Sequence, residues 1–259
     1  MKLEGRVALV NGAARGLGRA VILACAREGA DVVATDILED GVKETAKLAE
    51  ALGVRALGVY CDASDEGQVE ALTKRVVADF GRLDILVNTV AWIEPPTLLK
   101  DMPLEIWEKT LKYDLTTHFL ACKHAVPQMI AQNYGRIVNV SSEAGNGGYR
   151  FRGAYCASKA GVIRMSQTFS VETQEYDINV NAICPRGIAG ARLDTLRELM
   201  SQARAGSSEP PPPPQPQQQR APSMRGRSPT MDPPEVAELI LWLVSPEGQR
   251  VNGQAISIG

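Results

Sequence analysis

The 259-residue sequence has little excess charge, few aromatic side chains and almost no histidine. Lys and Arg number 28 against 30 Asp and Glu, a formal net charge of -2. Such a balance lacks the basic footprint of a nucleic-acid binder or a polybasic membrane binder. No apolar run approaches the roughly 20 residues that span a bilayer. Residues 1–6 lead straight into a strand-like run without the layout of a secretory signal. The two histidines, His118 and His124, lie six apart and show no metal-site spacing. The five cysteines, at 25, 61, 122, 156 and 184, are odd in number and form no Cys-x-x-Cys pair. That pattern fits reduced thiols and a cytoplasmic location. No internal repeat is found. What the chain does have is 44% hydrophobic residues, enough for one sizeable core in a single domain spanning 1–259.

Short apolar runs alternate with helical stretches. Residues 7–10, 31–36, 56–61, 83–88, 135–140, 178–184 and 254–258 read as strands, and helices are expected over about 18–28, 41–52, 66–80, 104–130, 155–176 and 235–244. The alternation predicts an α/β fold made of βαβ units. The expected form is a single Rossmann-type doubly wound domain, with a mainly parallel sheet of about seven strands and a ligand crevice at their carboxyl ends. Residues 207–234 break the pattern. They are rich in Pro, Gln, Ser and Arg, include five successive prolines at 210–214, and can neither pair nor continue a helix. Three readings stand: a solvated, partly disordered loop, a substrate lid within 189–234, or a ligand for a proline-binding module.

Gly12, Gly16 and Gly18, with Arg15 and Leu17 between them, follow the first strand and open the first helix. Glycines permit a tight turn and close backbone approach to a pyrophosphate, and a helix N-terminus adds free amides and partial positive charge. Three glycines alone are weak evidence; their strand-turn-helix position strengthens it. Asp36 ends the second strand about 20 residues on, where a carboxylate binds adenine-ribose hydroxyls and repels a 2′-phosphate. The reading is therefore NAD rather than NADP, with Arg15 as the counterargument.

Tyr155 and Lys159 are spaced i, i+4 and share a helix face. An unperturbed Tyr titrates near ~10, and a nearby ammonium favours the phenolate. A serine hydroxyl from Ser141-Ser142 can hold a substrate oxygen. A lone Tyr-x-x-x-Lys is usually a surface pair; beside a cofactor turn it points to proton transfer coupled to hydride transfer.

With these motifs on the page, the sequence resembles the short-chain dehydrogenase/reductase family over essentially its whole length. The run from Asn11 to Gly18 is similar to the family's cofactor turn, and Tyr155-x-x-x-Lys159 to its catalytic pair. The resemblance implies that Tyr155 is the acid/base, and that Lys159 lowers its pKa and binds the nicotinamide ribose. It picks Ser142, thirteen residues before the Tyr, to orient substrate. It also implies that Asp62 touches adenine, that Asn88, Pro185 and Ile188 line the cofactor, and that the protein forms a homotetramer or homodimer. Departures accompany it. Asn11 stands for the usual Thr. Thr89-Val90-Ala91 follows Asn88, adding bulk near the cofactor. Asp114 stands for a catalytic Asn and places a carboxylate near Lys159. Arg186 and Gly190 replace a Gly and a Thr, and Arg186 is a candidate cation for the pyrophosphate or an acidic substrate.

Trp92, Ile93 and Tyr149 suit a cyclic or aromatic substrate. Arg150 and Arg152 could attract a carboxylate, or be a solvated rim or subunit contact. The leading expectation is an NAD-dependent oxidoreductase acting on a secondary alcohol or ketone. The alternatives are an NADPH-dependent 3-ketoacyl-type ketoreductase and a non-catalytic NAD-binding scaffold.

Overall fold

Each strand alternates its side chains between two apolar layers. In the computed structural model, which describes residues 1–205 and 230–259, strand β1 (Val7–Asn11) sends Ala8 and Val10 to one side and Val7 and Leu9 to the other. Strands β2 (Asp31–Asp36), β3 (Ala56–Tyr60), β4 (Ile85–Asn88), β5 (Gly135–Val140), β6 (Ile178–Pro185) and β7 (Ala255–Ile258) complete a seven-stranded sheet in the order β3-β2-β1-β4-β5-β6-β7. Every pairing is parallel. Such strands must be covered on both faces, which is why their apolar runs are continuous.

Helices α1 (Gly16–Arg27), α2 (Glu39–Glu50) and α8 (Pro233–Val244) cover one face with the core around Val21, Ile22 and Ile240. Helices α3 (Glu66–Phe80) and α5 (Thr117–Ala131) cover the other with Val76, Leu120 and Met129, and α6 (Gly153–Glu172) adds Met165 and Phe169. The chain reverses strand order between β1 and β4, and this switch point opens a crevice at the carboxyl ends of the strands.

Two elements differ from the sequence-based expectation. The helical stretch expected over 104–130 is α4 (Leu104–Leu111) and α5, joined through one π-helical turn over Lys112–Thr116. A helix, α7 (Ala191–Ala205), occupies part of 189–234. It fully buries no residue, but Leu193, Leu196, Leu199 and Met200 recur at helical spacing and are half-buried, an apolar stripe that the sequence-based expectation passed over. The proline run and the rest of 206–229 lie outside the described residues. No described helix is long and apolar enough to cross a membrane. All five cysteines are free thiols. Burial pushes Cys25 and Cys122 up to about 12, so both stay protonated and inert.

At the carboxyl edge of the sheet, polar side chains pair across the register. Thr35 Oγ1 donates to Asn11 Oδ1 (2.7 Å), Asn11 Nδ2 to Asn88 Oδ1 (2.7 Å), Asn88 Nδ2 to Asn139 Oδ1 (2.8 Å), and Asn139 Nδ2 to Ser166 Oγ on α6 (2.9 Å). All five residues are buried. Removing a central member orphans its neighbours, and each unsatisfied buried group costs about 1–3 kcal/mol. Asn88→Ala is therefore expected to lower the thermal unfolding midpoint by roughly 5–10 °C. A midpoint within about one degree of wild type would show that the row is not structurally coupled.

Candidate active site

The turn between β1 and α1 is packed too tightly for side chains. Gly12 has φ +81°, and a Cβ there would lie 2.6 Å from Thr89 Oγ1. A Cβ on Gly18 would collide with the Gly12 carbonyl. Arg15, at the N-cap of α1, makes no side-chain cap, so the first amides of the helix keep their capacity for an anion. Asp36 lies beside this turn at the end of β2. Its Oδ2 accepts from the Ala14 amide (3.2 Å) and its Oδ1 from the Leu38 amide (3.1 Å), which fixes the carboxylate at the mouth of the crevice. Asp62, just beyond β3, accepts from the Ser64 amide and hydroxyl at 2.9 and 2.7 Å. The Cβ-free turn, the uncapped amides and the fixed carboxylate fit a dinucleotide.

Helix α6 carries Tyr155 and Lys159 one turn apart. Lys159 is buried, donates to the Val140 carbonyl (3.0 Å), and has its Nζ 5.8 Å from the centroid of the Tyr155 ring. The two serines before α6 separate by function. Ser141 is buried and donates to the Lys159 carbonyl (2.8 Å), tying α6 to β5. Ser142 caps the short turn Glu143–Gly145, accepting from the Ala144 amide (3.1 Å). Its hydroxyl hydrogen is not used in that bond and remains for a ligand on the cleft wall.

Several charges are buried behind these groups. Asp114 sits in the π-helical turn, a device that often re-aims a functional side chain. Its Oδ1 accepts from the Trp92 amide (2.6 Å) and its Oδ2 is buried without a partner. Burial pushes its carboxyl up, with Lys159 the main opposing charge. His118 is held well below its ordinary value by burial and by Lys159, so it is neutral. Glu94 is also buried, and burial raises its carboxyl to about 7 against the pull of Arg152. Arg152 Nε lies 3.2 Å from Glu94 Oε1. From the start of α7, Arg192 donates to the carbonyls of Ala91 (2.6 Å) and Trp92 (2.9 Å), latching that helix to the loop after β4.

The structure brings most of the sequence-derived residues into one cleft of about 2270 Å³. Gly12, Arg15, Gly16, Leu17 and Gly18 line it together with Asp36, Asp62, Ser142, Tyr155, Lys159, Pro185 and Ile188. Trp92, Tyr149 and Arg150 also line it. Asn88 and Asp114 lie beneath this wall, Asn88 in the polar row and Asp114 behind Trp92. Arg152 departs from the expectation of a solvated rim: it is buried against Glu94. Glu94 and Arg192 were missed in the sequence, since neither carries a local pattern. Arg186 lies 3.5 Å from Glu143, which offsets part of its charge.

A match to the short chain dehydrogenase family runs over residues 6–200. The chain is 36% identical to the 3-oxoacyl-(acyl-carrier-protein) reductase FabG of Thermotoga maritima over 258 residues, covering 100% of this chain and 98% of that protein. It is also 36% identical to the cis-4-hydroxycyclohexanecarboxylate dehydrogenase of Sinomonas cyclohexanicum, covering 98% of this chain and 94% of that one. Its fold is similar to the crystal structure of carveol dehydrogenase from Mycobacterium avium in complex with NAD, with a TM-score of 0.86 at 26% identity, covering 99% and 97% of the two chains. With a parallel seven-stranded sheet, a glycine turn at its switch point and a Tyr-Lys pair lining the same cleft, the chain belongs to the short-chain dehydrogenase/reductase family of oxidoreductases.

Proposed function

We propose that this protein is an NAD-dependent oxidoreductase that moves a hydride between nicotinamide and a secondary alcohol or ketone of cyclic or aromatic type. The observation that carries the reading is the meeting of Ser142, Tyr155 and Lys159 with the glycine turn and Asp36 in one cleft. Nicotinamide, when bound, accepts or supplies the hydride. The chain does the rest. The turn from Gly12 to Gly18 and the start of α1 hold the pyrophosphate, with Arg15 at its edge. Asp36 takes the adenine-ribose hydroxyls, Asp62 the adenine side, and Pro185 and Ile188 the nicotinamide end, with Asn88 supporting that wall from beneath. Ser142 donates its hydroxyl hydrogen to the substrate oxygen. Tyr155 takes the hydroxyl proton in oxidation and returns it in reduction. Lys159 favours the phenolate by Coulomb attraction and reaches the ribose. Asp114 holds the Trp92 amide and so shapes the substrate wall.

Trp92 and Tyr149 offer aromatic surface to a ring, and Arg150 a cation at its rim. The similarity to a cyclohexanecarboxylate-type dehydrogenase supports a cyclic substrate. A second reading, an NADPH-linked 3-ketoacyl-type reductase, is favoured by the exposed Arg15 and by the similarity to FabG. The proposal extends to one domain over 1–259, with the described residues 189–205 acting as cover for the substrate side. It further includes a homotetramer or homodimer in the cytoplasm.

Following reduced-nicotinamide absorbance with cyclic and aromatic alcohols and ketones tests the reading. Tyr155→Phe is expected to lower kcat by about 10²–10⁴-fold while NAD still binds; undiminished turnover would remove Tyr155 from the chemistry. Asp36→Asn keeps acceptor capacity and removes the charge. It is expected to raise the NADP-to-NAD ratio of kcat/KM roughly tenfold or more, one decade being about 1.4 kcal/mol of discrimination. A wild type that already prefers NADP would favour the second reading.

A further inference from the structure

Tyr155 has a second cation against it. The guanidinium carbon of Arg152 lies 4.0 Å from the centroid of the Tyr155 ring, closer than Lys159 Nζ at 5.8 Å. Arg152 is buried and occupies the N-cap of α6. It is held there by Glu94, which makes a two-sided bridge. Glu94 Oε1 faces Arg152 Nε at 3.2 Å, while Glu94 Oε2 accepts from the backbone amide of Tyr155 (3.2 Å) and from Thr110 Oγ1 (3.4 Å). One carboxylate thus pairs in charge with the guanidinium, with no hydrogen bond between Oε1 and Nε, and accepts from the helix turn that carries the phenol. The approach to this cap is constrained as well. Phe151 is buried with φ +66°, an uncommon conformation for a residue with a side chain, and its carbonyl accepts from the Thr97 amide (3.2 Å).

We propose that Arg152 is a positioning residue that supplies a second positive charge to Tyr155, offsetting the Asp114 carboxylate that stands near Lys159, and that Glu94 sets how much of that charge the phenol feels. The inference rests on the reading of Tyr155 as the acid/base. A cation within about 4–6 Å favours the ionised form of an acid, and a guanidinium over the ring is attracted more strongly as the ring gains negative charge. The surrounding groups act in known directions. Lys159 faces the phenol from its own helix, and Glu94, on the loop after β4, meets the Tyr155 backbone amide and Arg152. Asp114 on the π-helical turn and Arg192 on α7 interact with one another across the Trp92 loop. His118 beside Lys159 is neutral, and burial keeps the Cys156 thiol next to Arg152 protonated. With its carboxyl raised to about 7 by burial, Glu94 is only partly charged near neutrality and leaves the Arg152 charge incompletely cancelled.

The test is the ultraviolet absorbance of tyrosinate in the full-length protein as pH rises, with the Tyr155→Phe curve subtracted to isolate Tyr155 from the other tyrosines. In Arg152→Gln the Tyr155 curve is expected to move to higher pH by about one unit. Arg152→Lys is expected to recover most of the wild-type position. Glu94→Gln keeps an acceptor for the Tyr155 amide and removes the negative charge, so its curve is expected to move the opposite way, to lower pH. An unmoved curve in Arg152→Gln, or movement of both variants in the same direction, overturns the proposal; the second outcome marks a loosened helix start. If Arg152→Gln does not fold, Glu94→Gln decides alone, and an unchanged or upward curve overturns the inference. Full turnover by Tyr155→Phe sinks the underlying reading instead, which separates the two failures.

Discussion

Five polar side chains in one row, Thr35, Asn11, Asn88, Asn139 and Ser166, hold the carboxyl edge of the sheet in register. The parallel pairing sets Asn11 opposite Thr35 and Asn88, and Asn88 opposite Asn139, so each amide can donate to one neighbour and accept from the other. Several of the cleft-lining segments follow members of this row. The glycine turn follows Asn11, Asp36 follows Thr35, the loop to Trp92 and Glu94 follows Asn88, and Ser142 follows Asn139. Ser166 joins α6, which carries Tyr155 and Lys159, to the same row. Because an unpaired buried amide is costly, the row resists slippage, and the cleft above inherits its dimensions. At the opposite edge, Asp84 is buried and accepts from Arg6 (3.0 Å), Arg82 (2.6 Å) and the Val7 amide (3.0 Å), a network with no part in the cleft.

Above the row, the chain concentrates charge where burial makes it expensive. Lys159, Asp114, Glu94 and Arg152 are all buried, and partial pairing offsets only part of the cost of desolvation. A fold selected for stability alone has little use for such groups, whereas hydride chemistry needs a phenol whose proton can leave. The Asp114 carboxyl lies within the field of Lys159, and the Arg152 guanidinium lies 4.0 Å from the centroid of the Tyr155 ring.

The strands and the shared helix face of Tyr155 and Lys159 were legible in the sequence because their signals are local. Continuous apolar runs such as Ile85–Asn88 report burial on both faces, and the i, i+4 spacing of Tyr155 and Lys159 reports one helix face. Helix α7 carries a readable stripe in Leu193, Leu196, Leu199 and Met200, but it is short, only half-buried and set beside the proline-rich run, whose composition dominates that part of the sequence. The π-helical turn at Lys112–Thr116 looks like ordinary helix in one dimension, since a single extra residue per turn leaves the composition unchanged. Glu94 and Arg152 are far apart along the chain and meet only because β4 and α6 bring their flanking loops together. The polar row was equally hidden, because three asparagines on separate strands acquire meaning only through register.

The central claim is that the glycine turn, Asp36 and the Tyr155 face of α6 form a single NAD site. A crystal structure of the full-length protein with NAD tests this most directly. The account predicts the pyrophosphate over the start of α1, the adenine ribose on the Asp36 carboxylate, and the nicotinamide between Ile188 and Tyr155. NAD ordered elsewhere, or a ribose turned away from Asp36 with the nicotinamide out of reach of Tyr155, would contradict it.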